Sequence, residues 1–315
     1  MKTPRTVELH TPFEEVLKDD FIPFYEYPRP QFKRDSYLCL NGKWSLEIRN
    51  DSVQKSIGKI TIPFPPESRI SGINRTIKKC ETLIYSRNFV LPDNFIKHRL
   101  ILHFGACDQY TTVLINNVTV GKNIGGYLPF SFDITDYITD GENLITVEVS
   151  DPIDNELPYG KQTFKRGGMW YTNTSGIWQT VWIESVPKNH IKNIKIDPRL
   201  NGVHIEVEGG EDNKTLILKT DNGDKRYDFS GSEFDLTVES PVNWTPEKPH
   251  LYPFTLISGD DVVDSYFALR TIEIQNVNGK PLICLNGKPY FFHGLLDQGY
   301  FSDGIFTPAD PEGYK

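Results

Sequence analysis

Several features are missing from this sequence, and each absence excludes something. No apolar run approaches the ~20 residues needed to cross a bilayer. Met1 to Asp20 is polar, without the apolar centre of a secretion signal. A cytoplasmic chain with no membrane partner is the expectation. There are only four cysteines in 315 residues, Cys39, Cys80, Cys107 and Cys284, widely separated and with no C-x-x-C pair. That argues against a zinc site or a disulfide framework and for reduced, buried thiols. The seven histidines never fall at H-x-x-x-H or H-E-x-x-H spacing, so no metal site is expected. No G-x-S-x-G elbow, Walker loop or dinucleotide glycine fingerprint occurs, and no cofactor is expected. With 34 basic against 42 acidic side chains the net charge is −8, which opposes binding to nucleic acid or anionic lipid.

Helical periodicity is scarce as well. Thr11-Pro12-Phe13-Glu14 has a capping-box pattern that predicts one short helix over Phe13 to Lys18. Strand signals then recur at short intervals: Leu100–Phe104, Thr111–Ile115, Leu144–Val149, Gln179–Glu184 and Val203–Val207. Asp140-Gly141, Asn201-Gly202 and Asn222-Gly223 supply turns between them. Short strands with regular turns make an all-β chain of sandwiches rather than βαβ units. A boundary falls near Val186-Pro187-Lys188. Residues 1–187, aromatic- and glycine-rich, suit a larger jelly-roll sandwich. Residues 188–275 have the length of an immunoglobulin-like sandwich. Residues 276–315 begin as a hairpin, Leu282–Leu285, an Asn286-Gly287 turn, then Tyr290–His293. They continue as a Gly/Asp/Pro-rich stretch from Gly294 to Lys315 that is unlike a domain ending.

Carboxylates are too many for a catalytic pair to be chosen. Asn155-Glu156 reads as a loop, since a glycosidase dyad needs two rigidly held acids at a set separation. Six N-x-S/T sequons, at Asn50, Asn74, Asn117, Asn173, Asn213 and Asn243, read as chance in an Asn- and Thr-rich chain. The segment Lys161 to Gly176 holds Trp170 and Tyr171 amid glycine, serine, threonine and asparagine. Exposed aromatic faces stack on the C–H faces of sugars while nearby amides bond hydroxyls. The same residues serve equally well as a plug at a sandwich rim. Trp44, Trp178, Trp182 and Trp244 read as packing residues. His103 and His204, within strand patterns, read as paired or surface groups, and Gly125-Gly126 and Gly167-Gly168 as turns.

A series of motifs then carries a family resemblance. Leu40-Asn-Gly-Lys-Trp44, Tyr85-Ser-Arg-Asn-Phe89, Leu100 to Gly105, Thr112 to Asn117, Gly125-Gly-Tyr-Leu-Pro-Phe130 to Thr135 and Ser175-Gly-Ile-Trp-Gln-Thr-Val-Trp-Ile-Glu184 stand in this order. Asn243-Trp-Thr-Pro to Tyr252, Phe267-Ala-Leu-Arg270, Leu285-Asn-Gly-Lys-Pro289 and Gly294 to Tyr300 follow. The chain resembles the N-terminal, non-catalytic portion of glycoside hydrolase family 2, the β-galactosidase, β-glucuronidase and β-mannosidase group. The resemblance implies a jelly-roll sugar-binding domain, an immunoglobulin-like sandwich and the truncated start of a (β/α)8 barrel. It implies a retaining, two-glutamate hydrolysis of β-glycosides by the whole enzyme.

No residue here matches the two catalytic glutamates, because such barrels need about 250 residues. A 315-residue chain of this kind is expected to be inactive alone, to scaffold the barrel and to lend the Lys161–Ser175 loop to the active-site rim. Trp170 and Tyr171 are then the substrate contacts, with Asp297 and Gln298, which follow the first barrel strand, as further candidates. Relatives often carry an aspartate before the aromatic segment. Gly167-Gly168 stands there instead, which removes that sugar contact and leaves the sugar undetermined. A carbohydrate partner is implied, and a homo-oligomer is compatible with the resemblance. Two readings from other classes remain: a stand-alone carbohydrate-binding module, which would bind sugar through Trp170, and a structural interaction protein, which would bind none.

Overall fold

Alternation of apolar and polar side chains becomes two-faced strands wherever it occurs. In the computed structural model, which describes residues 10–12, 21–51, 53–95, 98–165, 167–221 and 223–314, Glu142–Ser150 buries every second residue. It pairs antiparallel with Thr82–Val90 on one side and Tyr110–Ile115 on the other. These three lie within a six-stranded sheet completed by Gly42–Asn50, Val53–Ile62 and Val118–Ile124. A four-stranded sheet of Tyr37–Cys39, Val181–Val186, Arg99–Phe104 and Phe130–Asp133 shares its core. Trp44, Leu46, Tyr85, Val113, Ile145 and Val147 from the first sheet meet Leu102, Phe104, Val181 and Ile183 from the second. Each fully buried large apolar side chain contributes about 1.5–3 kcal/mol. Trp44 keeps its indole N–H satisfied by donating to the Leu40 carbonyl at 2.7 Å.

The strands expected between residues 100 and 207 are present within a residue or two, with one difference in burial. The polar–apolar alternation of Gln179–Glu184 predicts a half-buried strand. The observed strand, Val181–Val186, is buried on both faces. Trp182 stacks on His103, ring centroids 4.8 Å apart, and Glu184 takes His103 at 3.0 Å and the Tyr27 hydroxyl. A carboxylate can lie inside because these partners replace water.

The described chain divides into two units: Met1–Pro28, Ser36–Ser185 and Gln298–Lys315 form one, Arg29–Asp35 and Val186–Asp297 the other. The second contains an antiparallel three-stranded sheet, Ile191–Pro198, Gly202–Gly209 and Glu233–Thr237. Facing it is a four-stranded sheet ordered Lys225–Ser230, Asn213–Leu218, Tyr252–Ser258, Asp261–Phe267. Val203, Ile205, Leu216, Phe254, Leu256 and Phe267 join the two in one core.

A separate three-stranded sheet follows, Ile272–Val277, Lys280–Leu285 and Lys288–Pro289. Asn278-Gly279 and Asn286-Gly287 have positive φ at both residues, the geometry of two-residue hairpin turns. Ile272, Ile274 and Ile283 of this sheet face water. The expected strand over Tyr290–His293 is not formed. The hairpin's second strand is only Lys288–Pro289; Tyr290 still donates its amide to the Ile283 carbonyl at 3.0 Å, but residues 291–293 beyond it pair with no strand among the described residues. An extended segment without a partner leaves its amide groups unpaired and does not persist as sheet.

Trp244 departs from its expected core position. It is half-buried, with the Arg270 guanidinium over its ring at 5.5 Å. Cys39, Cys107 and Cys284 are buried free thiols, but Cys80 is exposed. The predicted helix over Phe13–Lys18 and the turn residue Asn222 lie outside the described residues. No helix among the described residues is long and apolar enough to cross a membrane.

The segment Arg29–Asp35 is fixed to the second unit by a buried ion pair. Arg34 Nε and Nη2 donate to Asp261 Oδ1 and Oδ2, each at 2.8 Å, and Nη2 also donates to the Ile191 carbonyl at 2.6 Å. The side chains are 4% and 1% exposed. Asp261 Oδ2 in turn accepts from the Ile191 amide at 2.8 Å. Removing either partner strands a buried charge. Arg34→Ala or Asp261→Ala is therefore expected to destabilise this unit by about 3–5 kcal/mol. Urea unfolding followed by far-UV circular dichroism checks this, and a loss below 1 kcal/mol contradicts it.

Candidate functional site

Trp170 and Tyr171 sit on a loop that folds back on itself. Gln162–Thr163 pairs in parallel with Tyr171–Thr172, and the intervening chain reverses where the Trp170 amide meets the Gly167 carbonyl. Gly167 and Gly168 both have positive φ, which glycine adopts without a Cβ clash.

The loop is clamped from beneath by polar side chains. Gln162 Oε1 accepts from the Thr174 amide at 2.5 Å, and its Nε2 donates to the Tyr127 hydroxyl at 2.9 Å and to Asp108 Oδ2 at 3.3 Å. Asn173 Nδ2 donates to Asp151 Oδ2 at 3.3 Å and to Ser175 Oγ at 3.1 Å. Glu67 accepts from the Ser175 amide at 3.1 Å, the Ser175 hydroxyl at 2.8 Å and the Ile77 amide at 3.3 Å.

Two motif glycines are explained by this frame. A Cβ on Gly126 would overlap the Asp108 carboxylate, and one on Gly176 would overlap the Tyr85 hydroxyl. The Gly-Gly-Tyr and Ser-Gly-Ile motifs therefore mark close approaches rather than ligand contacts.

The three carboxyl groups are shifted by their surroundings. Burial pushes Glu67 up to about 8, against the downward pull of its Ser175 and Ile77 donors. Burial, with the Asp151 charge adding, pushes Asp108 up to about 7. Burial raises Asp151 as well. All three are under 7% exposed, so they support the loop and do not face solvent.

Above the frame the two aromatics have different surroundings. Trp170 is 47% exposed and stands at a groove of about 340 Å³ that also takes in Lys79, Asn155, Tyr159, Gln162 and Phe164. Tyr171 stacks on Tyr300, centroids 4.9 Å apart and planes 6° from parallel, and its hydroxyl donates to Gln298 Oε1 at 2.7 Å. Tyr300 leads through Phe306 at 5.3 Å to Trp178 at 4.9 Å. Trp178 donates its indole N–H to the Gly126 carbonyl at 2.8 Å.

Trp170, Tyr171 and Gln298 thus belong to one unit, whereas Asp297 is the last residue of the other. Glu156 is an exposed turn residue whose amide bonds Asp154. Sequence reasoning missed Gln162, Glu67, Asp108, Tyr300 and Phe306. Gln162 stood within the aromatic-rich segment and Tyr300 closed the Gly294–Tyr300 motif, but Glu67, Asp108 and Phe306 carried no recognisable signal. No cluster of His, Cys, Asp and Glu suited to a metal occurs among the described residues. The arrangement places an exposed indole beside a polar groove on a loop anchored by buried polar side chains.

The raised Glu67 value has a consequence for stability. Between the ordinary carboxyl value of 4.5 and about 8, the folded chain holds a proton at Glu67 that the unfolded chain has released. Stability therefore falls as pH rises through this window. Glu67→Gln keeps an acceptor for Ser175 and cannot ionise, so it is expected to flatten the fall. Urea midpoints at pH 5.5 and 8.5 test this, and an equal fall in both proteins contradicts it.

Comparison with known proteins places this arrangement. The sequence profile described as "Glycosyl hydrolases family 2, sugar binding domain" matches residues 60–187, and that described as "Glycosyl hydrolases family 2" matches residues 185–270. A β-galactosidase of Thermoanaerobacter pseudethanolicus is 26% identical over 239 residues, covering 67% of this chain and 31% of its own length. The β-glucuronidase of Felis catus is 24% identical over 324 residues, covering 85% of this chain and 49% of its own. Among solved structures, the Faecalibacterium prausnitzii β-glucuronidase aligns with a TM-score of 0.68 at 22% identity, covering 85% of this chain and 51% of that one. A Ruminococcus gnavus β-glucuronidase in complex with D-glucaro 1,5-lactone aligns at 0.65 and 19% identity, over 83% and 50%. These structural likenesses show the fold. The chain thus spans between about a fifth and a half of the length of the proteins it resembles. Two profiles of one family, in tandem from residue 60 to residue 270, show that the chain belongs to glycoside hydrolase family 2 and carries its N-terminal sugar-binding region.

Proposed function

We propose that this chain is the non-catalytic N-terminal part of a cytoplasmic, retaining β-glycosidase. In that reading, one glutamate of a (β/α)8 barrel protonates the leaving oxygen and a second attacks the anomeric carbon. No residue of this sequence matches either. Residues 1–187 act as a jelly-roll domain, 188–275 as an immunoglobulin-like one, and 276–315 begin the barrel. The two sandwiches support the barrel, and the Lys161–Ser175 loop stands at its rim.

The observation that carries the proposal is the exposed Trp170 ring at a polar groove, on a loop anchored by Gln162, Asn173 and Glu67. An indole face held at fixed height can stack on a sugar ring, with Asn155, Tyr159 and Lys79 beside it to bond hydroxyls. Tyr171 has a different role in this reading. Its ring is stacked against Tyr300 and its hydroxyl is taken by Gln298, so it positions Gln298 and leaves direct sugar contact to Trp170. Asp297, next to Gln298 in sequence, stays a candidate substrate contact in this reading. The names of the relatives, β-galactosidases and β-glucuronidases, support a β-glycoside as substrate without choosing the sugar.

Two outcomes follow. The purified 315-residue chain is expected to release no nitrophenol from aryl β-galactosides or β-glucuronides, and measurable turnover overturns the assignment. In the full-length polypeptide, Trp170→Ala is expected to lower kcat/KM by about tenfold, the scale of one lost stacking contact. Unchanged kinetics removes Trp170 from the rim.

A further inference from the structure

A second cleft lies wholly within the unit that holds Val186–Asp297. The strands Lys225–Ser230 and Glu233–Thr237 lie next to each other in sequence but belong to different sheets. Near the turn joining them, Phe229 and Tyr227 close on Phe234, with centroids at 4.8 and 5.9 Å. Toward the opposite end a cleft of about 700 Å³ opens, twice the volume of the groove at Trp170. That size falls within the roughly 300–1,000 Å³ of small-molecule sites.

Its lining is mixed in a particular way. Tyr227 is half-buried, and Tyr252 beneath is fixed by stacking on Phe267 at 5.2 Å and by accepting the Val242 amide at 2.7 Å. His250 stands edge-on to Tyr252 at 4.5 Å, and its ring nitrogens have no hydrogen-bond partner among the described residues. Leu251 lies at the rim, 45% exposed. The cationic side chains are already neutralised: Lys225 pairs with Glu239 at 2.6 Å and Lys219 with Asp264 at 3.4 Å. An aromatic floor, an apolar lip and an imidazole, with both lysines paired and Asp221 as a further carboxylate, disfavour an anionic ligand and match a neutral one that has both a flat C–H face and hydroxyls.

We propose that this cleft is an ancillary binding site for short neutral oligosaccharides, separate from the Trp170 groove. Tyr227 and Leu251 take the apolar face of the sugar, and His250 with the Lys225–Glu239 pair bonds its hydroxyls. The choice of sugar over other neutral polar ligands rests on the glycosidase reading. Such a site would hold a polymeric substrate on the protein while one end is processed.

The test is an NMR titration of the 315-residue chain with cellotetraose and β-1,4-galactotetraose, with tetragalacturonate as the charged counterpart. At least one neutral tetraose is expected to bind. His250→Ala and Leu251→Arg, both at positions outside the apolar core, are each expected to weaken that binding at least tenfold with unchanged thermal unfolding. Trp170→Ala is expected to leave it intact. Three results overturn the proposal: no binding of either neutral tetraose, binding of tetragalacturonate alone, or binding that survives both cleft substitutions and disappears with Trp170→Ala. The last would support the rim assignment while removing the cleft, and so separates the two proposals.

Discussion

The position of the loop bearing Trp170 depends on buried carboxyl groups. The loop contributes little to the apolar core, and its own two-residue pairing is too short to fix it. What holds it is the set of bonds from Thr174, Ser175 and Asn173 into Gln162, Glu67 and Asp151. Taking such groups out of water is costly unless each finds a partner, so the frame tolerates little slack. The bonds fix the loop even though Asp108 Oδ1, Asn173 Oδ1 and Thr174 Oγ1 are buried without a hydrogen-bond partner among the described residues.

The two sandwiches reach their stability by different routes. The first has a large core in which Trp44, Tyr85 and Phe104 are wholly buried and opposing sheets interdigitate. The second has a smaller core and adds a buried bidentate ion pair, Arg34–Asp261, which ties in a segment remote in sequence. Backbone bonds between Lys33 and Asp264 extend that attachment to the edge of its four-stranded sheet. The short Arg29–Asp35 segment therefore belongs to a sandwich whose first strand begins more than 150 residues later.

How much of this was legible in the sequence follows from range. The strand at Glu142–Ser150 and the turn at Asn286-Gly287 are local patterns of period two and of backbone conformation, and they are read directly. The run Tyr290–His293 looked like a strand because it is apolar, but a strand also needs a neighbour, which no single segment encodes. Glu67 and Asp108 carry no signature, because a carboxylate beneath a loop is indistinguishable in sequence from one at the surface. Trp170 and Tyr171 stood out by composition. Their division of labour did not, since it depends on Tyr300, well over a hundred residues away, stacking on one and not the other. Trp244 was misread because a tryptophan half-covered by an arginine resembles a core tryptophan in every local respect.

The small sheet of residues 272–289 has a colloidal consequence. One of its edges ends in Pro289, which has no amide hydrogen to offer another strand, with Lys288 beside it. The other edge, Ile272–Val277, has neither safeguard and shows Ile272 and Ile274 to water. Unprotected edges of that kind recruit strands from other molecules. Self-association through this edge, which carries only Glu273 as a charge, is therefore a property that grows with protein concentration, and a second charge at position 274 would oppose it.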